Sequence, residues 1–418
     1  MKARSLVVGV VAGGVLGLVV GLLIVRLRPA VPTLVVDTAP AAAQAPGVAS
    51  YAEALAAARP AVVSVYSTKF ARTRVPAGLD LRGASRSSIE TPVQPERGLG
   101  SGVIVSPEGY ILTNNHVIEG ADALLVKLPD DREMAARLVG ADPKTDVAVI
   151  KVEGTGLPFA VLGDSDKLRV GDIVFALGNP LDVGQTATMG IVSATGRRGL
   201  DLLARGDGDP GYEDFIQTDA AINVGNSGGA LVDARGRLVG VNTAIMTTSR
   251  GNIGIGFSIP VNLAAFVMKS LVETGTVVRG YLGVTTQDLD AGLAASFDLK
   301  ETRGALVTEV TKDSPAARAG LLTGDVVTAL NDKPVLNRDE LRLLVSQLAP
   351  GTKAALHLVR ESKPVALEVT LGQLNDNRPV VMRAVVELID GVQVEPVSDR
   401  LRHDFALESD VAGVVVTA

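Results

Sequence analysis

The sequence predicts a mainly β protein, a double β-barrel followed by a mixed α/β unit, behind an N-terminal transmembrane helix. Three observations predict it. From about Tyr51 to Pro260, short β-rich runs alternate with Gly, Asn and Asp turns, the pattern of barrels and sandwiches. From Arg279 to Gly372, strands alternate with two helices that carry start and stop signals. An unbroken apolar run, Leu6 to Val25, opens the chain.

Composition bounds the function. At about 150 residues per domain, 418 residues allow two to three domains, and 47% hydrophobic against 21% charged residues supplies more than one core. A net charge of −6 without a dense Lys/Arg run disfavours nucleic acid as a partner. Cysteine is absent, which removes disulfides, thiolate nucleophiles and cysteine metal sites. Histidine occurs only at His116, His357 and His403, too few for a His-rich metal cluster. No cofactor and no metal is expected.

Residues 1–28 read as a cytoplasmic stub and anchor, because the twenty residues Leu6 to Val25 are uncharged and that length spans a bilayer core. Ala43-Gln44-Ala45, the only small-x-small site in reach, lies too far beyond the apolar run for a cleaved signal peptide. Basic residues flank the run on both sides (Lys2 and Arg4, then Arg26 and Arg28), so charge leaves its orientation open. Gly9, Gly13, Gly17 and Gly21 line one face of this helix; that face permits close helix packing, or reflects only the frequency of glycine in membrane helices. Residues 29–50, rich in Ala and Pro, read as a linker.

Residues 51–272 form the barrel domain, with strands expected in "AVVSVYST", "GSGVIVS", "GYILTNNHVI", "ALLVKL", "VAVIKV", "IVFALG", "GIVSATG" and "RLVGVNTAIM". Two polar stretches, Lys69 to Arg97 and Arg197 to Glu213, lack any period and read as long functional or disordered loops. A helix from Asn262, its expected cap, to the stop at Gly275 closes the domain. In the unit over 276–374, Ser314 caps a short helix with Pro315 in first position and Gly320 at its end. Asn337 caps a second helix with Glu340 three residues on, and Leu341, Leu344, Val345 and Leu348 form its apolar stripe. Over 375–418, the stretch Gly391 to Ala418 repeats Gly283 to Val310: Phe405-x-Leu407 falls on Phe297-x-Leu299, and Gly413 on Gly304. The second copy ends before its third element, so it is either truncated or vestigial.

Without cysteine, a hydroxyl nucleophile needs a neighbouring base, usually histidine. Ser227 lies among Gly225, Gly228 and Gly229, His116 at the end of an apolar strand, and Asp146 at the start of another. Each alone is ordinary: a turn serine, a structural histidine, a strand-capping aspartate. Together, "TNNHV", "TDVAV" and "GNSGG" stand in the order of chymotrypsin-like proteases, and the chain resembles the HtrA/Deg family over nearly its whole length.

That resemblance implies a chymotrypsin-like double barrel followed by a PDZ domain. It implies His116 as general base, Asp146 as its orienting partner and Ser227 as nucleophile, with the N–H groups of Gly225 and Ser227 as oxyanion hole. The P1 pocket would involve Ala221, Ile222, Ile255 and Phe257, favouring small or medium aliphatic side chains; Asp219, if it reached the pocket, would favour basic ones. "GYLGV" (Gly280, Tyr281, Leu282, Gly283, Val284) would hold a peptide's terminal carboxylate, and Leu341, Leu344 and Val345 would line the groove or only pack the core. Departures from the family are Val224 and Ala230, where proline is commoner, and Ser258, where alanine is usual. The expected protein is thus a membrane-anchored, ATP-independent serine endopeptidase on the periplasmic side of the inner membrane, forming a homotrimer. It would cut unfolded or signalling polypeptides and bind C-terminal peptides. A regulatory protease with one membrane-bound substrate and a holdase chaperone are the rival readings.

Overall fold

The computed structural model describes residues 34–37, 50–70, 72–75, 89–92, 96–179, 184–204, 210–223, 225–245, 254–297, 299, 301–374, 394–396 and 414–416. These fall into two compact units. The larger, drawn from Met1–Tyr66, Gly98–Glu119 and Leu124–Val380, holds both barrels and the α/β unit, a few strand ends of the first barrel aside.

A short helix, α1 (Ala52–Ala58), leads into the first barrel. Its strands are β1 (Val62–Lys69), β2 (Glu96–Ile104), β3 (Tyr110–Asn114), β4 (Ala123–Lys127), β5 (Glu133–Asp142) and β6 (Val147–Val152), with α2 (Asn115–Ile118) after β3. They close in the order β1-β2-β3-β6-β5-β4. The second barrel is made of β7 (Ile173–Gly178), β8 (Thr186–Arg197), β9 (Phe215–Thr218), β10 (Ala230–Asp233), β11 (Leu238–Ile245) and β12 (Gly256–Pro260), closed in the order β8-β9-β12-β11-β10-β7.

All five residues of β3 are buried, because both faces of this strand meet apolar neighbours. Ile111, Val63 and Val65 converge over Gly102 inside the barrel. Tyr110 and Leu112, on the opposite face, join a core that includes Phe175, Phe215 and Ile259 of the second barrel. Helix α3 (Val261–Thr274) adds Leu263, Val267 and Leu271 to that same core. At about 1.5–3 kcal/mol per large apolar side chain buried, this shared core holds the barrels together and fixes the cleft between them.

The start of α3 corrects the expectation from sequence. Its cap is Pro260, with no side-chain cap hydrogen bond, not Asn262. The Asn262 side chain instead donates to Asp164 at 2.9 Å, and its N–H to Ser165 Oγ at 3.2 Å. Pro260 ends β12 with its φ already fixed near the helical value, so the helix begins at once and Asn262 is free for tertiary bonds. The other end is as expected, at Gly275 with φ of 75°.

The α/β unit runs β13 (Gly280–Tyr281), β14 (Val284–Asp288), α4 (Ala291–Ser296), β15 (Ala305–Val310), α5 (Pro315–Ala319), β16 (Val326–Leu330), β17 (Lys333–Pro334), α6 (Arg338–Ser346), β18 (Lys353–Arg360), β19 (Lys363–Thr370) and β20 (Gly372–Gln373). Its main sheet has the order β14-β15-β16-β18-β19, with β17 on β16, while β13 pairs with β20. The expected caps are present: Ser314 Oγ accepts from Ala317 N at 3.1 Å, and Asn337 Oδ1 from Glu340 N at 2.9 Å.

In the smaller unit, Arg72–Val75 pairs with Ile89–Pro92, and Val394–Pro396 with Val414–Val416. The second pair reproduces the sequence repeat. Val394 faces Val416 and Pro396 faces Val414, as Thr286 faces Val307 and Asp288 faces Ala305. Among the described residues no helix is long and apolar enough to cross a membrane; the expected anchor, Leu6 to Val25, lies outside them.

Candidate active site

β3 delivers its last residue, Asn114, to the cleft, and the chain turns through α2 to present His116. Asp146 lies directly before β6 in the left-handed region, φ 56°, which aspartate tolerates better than most side chains. In this conformation its carbonyl accepts from Asn115 N at 3.1 Å and Asn114 Nδ2 at 3.0 Å. Both asparagines of "TNNHV" thus tie the histidine turn to the aspartate. The buried Asp146 carboxylate accepts His116 N at 3.0 Å through Oδ1, while Oδ2 lies 2.8 Å from His116 Nδ1 and takes Thr243 Oγ1 at 2.6 Å. A carboxylate can only accept, so Nδ1 carries the proton and Nε2 is left with its lone pair. Burial alone would push the imidazole pKa down, but the hydrogen bond and charge of Asp146, with Glu119 adding to them, leave it above its ordinary value. The ring is nevertheless 47% exposed, so a substrate can reach it.

Ser227 comes from the second barrel. Its Oγ donates to the Thr243 carbonyl at 3.2 Å, so Thr243 touches both the serine and the aspartate. In the loop around it, Asn226 N donates to Asn223 O, Gly228 N to Asn242 O and Gly229 N to Asn226 O, all at 2.8–2.9 Å. The N–H groups of Gly225 and Ser227 have no protein acceptor among the described residues. Val224, which shares a peptide with Gly225, lies outside them. Gly225 and Gly228 have φ of 97° and 81°, and a Cβ at Gly228 would strike the Ser101 carbonyl and Thr113 Oγ1.

The residues expected around a P1 pocket are distributed as follows. Ala221 is half-buried and its carbonyl accepts Thr188 Oγ1 at 2.8 Å. Ile222 is buried in the interior of the second barrel against Gly256. Phe257 is buried beside Phe215, ring centroids 5.7 Å apart, and Ile255 is half-buried on the same core. Asp219 is exposed, and its Oδ1 accepts Ile191 N at 2.7 Å. Among the described residues no group of three His, Cys, Asp or Glu could hold a metal ion.

In the α/β unit, the Leu282 and Gly283 carbonyls accept Ala316 N and Thr311 N at 2.9 and 3.0 Å, while their own N–H groups have no protein acceptor among the described residues. Gly280 and Tyr281 pair with β20, and Val284 opens β14 opposite Val310. Leu341 and Val345 of α6 are buried in the unit's core, and Leu344 packs half-buried against it. Leu343 turns the other way, into the core shared by the barrels.

Sequence reasoning missed Thr243 and Ser101. Thr243 carries no signal beyond a polar residue in an apolar strand. Ser101 had a faint one, since glycines flank it on both sides in "GLGSGV".

The trypsin-like peptidase domain family matches residues 100–241 and the PDZ domain family residues 280–371. The chain is 48% identical over 284 residues to the periplasmic pH-dependent serine endoprotease DegQ of Escherichia coli (strain K12), covering 68% of this chain and 61% of that protein. It is 43% identical over 338 residues to a probable periplasmic serine endoprotease, DegP-like, of Pseudomonas putida (strain W619), covering 77% of this chain and 69% of that one. Among solved structures, the HtrA-type protease AlgW with tripeptide matches at 47% identity and a TM-score of 0.63, covering 78% of this chain and 97% of that one. The chain spans 61–65% of the length of the first curated relatives it matches. With both domain families in this order and these identities, the chain belongs to the HtrA/Deg family of trypsin-like serine proteases with a PDZ domain.

Proposed function

We propose that this chain is an ATP-independent serine endopeptidase of the cell envelope, in which Ser227 attacks the substrate carbonyl. His116 takes the hydroxyl proton through Nε2 and returns it to the leaving amine, and Asp146 holds the imidazole and stabilises its charged form. The N–H groups of Gly225 and Ser227 receive the oxyanion, each contributing about 3–4 kcal/mol. One observation carries this reading. A buried carboxylate fixes the imidazole tautomer at 2.8 Å, beside a loop in which, among the described residues, the Gly225 and Ser227 N–H groups have no protein acceptor while those of Asn226, Gly228 and Gly229 are bonded.

The resemblance extends the proposal to an inner-membrane anchor, a homotrimer and a PDZ domain that takes C-terminal peptides. The N–H groups of Leu282 and Gly283, without a protein acceptor among the described residues, suit a carboxylate, and the edge of β14 suits an extended peptide. The relatives named periplasmic serine endoproteases support an extracytoplasmic site of action. The P1 pocket is proposed to favour Val or Ala; Asp219 is held by Ile191 N, which counts against a basic preference. Faster cleavage of an Arg peptide than of its Val counterpart overturns that preference.

Regulation is proposed to pass through the stretch Arg197 to Glu213. Arg198 pairs with Asp214 at 2.7 Å and with Glu340 of α6 at 3.5 Å. Arg342 of α6 donates to the Gly211 carbonyl at 2.7 Å and covers the Tyr212 ring at 4.3 Å. The test is cleavage of unfolded β-casein by the full chain, with and without peptides bearing a free C-terminus. Cleavage stimulated by peptide is expected; no cleavage under either condition contradicts the proposal.

A further inference from the structure

We propose that Ser101 is a positioning residue for this reaction, clamping the loop that bears Ser227 so that the N–H groups of Gly225 and Ser227 act together on one oxyanion. The proposal rests on the reading of Ser227 as nucleophile.

Ser101 lies on β2 of the first barrel and is fully buried, yet all of its polar groups are in use. Its N–H donates to the Ser227 carbonyl at 2.8 Å. Its hydroxyl donates to the Gly225 carbonyl at 2.7 Å and accepts Asn179 N–H at 3.0 Å. Its own carbonyl takes Thr113 Oγ1 at 2.7 Å.

The direction of these bonds is forced. Asn179 N–H can only donate, so the single hydroxyl proton of Ser101 is committed to Gly225 O. One residue therefore grips the carbonyls on both sides of Asn226. The other edge of the Gly225–Asn226 peptide is held by Asn226 N on Asn223 O at 2.9 Å. Gly225, at φ 97°, sits where glycine moves freely, so its own backbone cannot supply this stiffness. With the Ser101 hydroxyl removed, Gly225 O loses its donor in a buried place and the Gly225–Asn226 peptide can rotate; that peptide links the one carrying the Gly225 N–H to the one carrying the Ser227 N–H, so the two N–H groups lose their fixed relation. That relation matters most where charge develops on the substrate oxygen in the transition state, and less for binding a peptide along the cleft. The loss should therefore fall on kcat rather than on KM.

The test compares the full chain with Ser101→Ala and Ser101→Cys, using a chromogenic peptide and a peptide boronic acid that forms a tetrahedral adduct. Rates are expressed per site titrated with a fluorophosphonate. For Ser101→Ala, kcat should fall about tenfold to a hundredfold with KM within about threefold of the parent, and boronic acid affinity should fall by the same factor as kcat. Ser101→Cys keeps the volume but is a weaker donor, so its kcat should lie between the two; it also serves if the alanine variant does not fold. A purely structural role for Ser101 predicts a lower unfolding temperature with kcat per titrated site and boronic acid affinity unchanged, and that result overturns the proposal. Parent chain that cleaves nothing and takes no fluorophosphonate overturns the underlying reading instead.

Discussion

At His116 two forces oppose each other: burial disfavours the imidazolium, while the hydrogen bond and charge of Asp146, helped by Glu119, favour it, and the second set wins. Catalysis by general base needs the neutral ring, so raising its pKa shifts the acid limb of activity upward. The kcat/KM profile should therefore lose activity, as pH falls, around a midpoint above the ordinary histidine value. Asp146→Asn should lower kcat about 10⁴-fold and, in the residual activity, move that midpoint down. A midpoint unmoved by the substitution contradicts this account of the ring. Gly228 carries a steric claim at the same scale. Its φ of 81° and the carbonyl of Ser101 both exclude a Cβ, so Gly228→Ala should cost about 3 kcal/mol or more, read as a lowered denaturant midpoint. The three residues proposed as catalytic were singled out in sequence because their neighbours announce them, glycines beside Ser227 and asparagines beside His116. Thr243 and Ser101 were not, because their roles exist only once the two barrels meet.

Among the elements, strands with strong alternation or β-branched runs were read correctly, β1, β3 and β6 among them. β5 was missed, since "EMAARLVGAD" offers alanines and charges rather than β-formers. It becomes a strand by pairing on both sides, with β4 and with β6. β9 and β10 are four residues each, too short for a periodic signal. Helix α6 was read correctly as an amphipathic helix with a cap and a stripe, but its second apolar contact, Leu343, lies one position off that stripe. The result is a helix with two faces in use: Leu341 and Val345 in one core, Leu343 in another, and Arg342 reaching Gly211 and Tyr212. Arg342→Ala removes both of these contacts to the stretch Arg197 to Glu213. The ratio of peptide-stimulated to basal cleavage should fall about fivefold, while basal cleavage and KM stay near the parent's values. An unchanged ratio removes the segment from the proposed route.

Over the whole molecule, the site exists because two barrels share one core. His116 and Asp146 ride on the first barrel, Ser227 and Thr243 on the second, and Asp146 is hydrogen-bonded to both His116 and Thr243. A barrel or sandwich domain followed by an α/β unit was legible from turn spacing and caps, and the double barrel through the resemblance; the sequence repeat agrees with the register in which Val394–Pro396 pairs with Val414–Val416. What the sequence could not convey is how the loop amides are bonded, which depends on contacts across the cleft. The central claim is that Ser227 is the nucleophile of an endopeptidase, and the most direct test replaces it. The parent chain should digest unfolded β-casein and take up one fluorophosphonate per chain, whereas Ser227→Ala, folded to the same extent, should do neither. Casein cleavage by Ser227→Ala at the parent's rate, or suppression of casein aggregation by a parent that never cleaves it, would contradict the account.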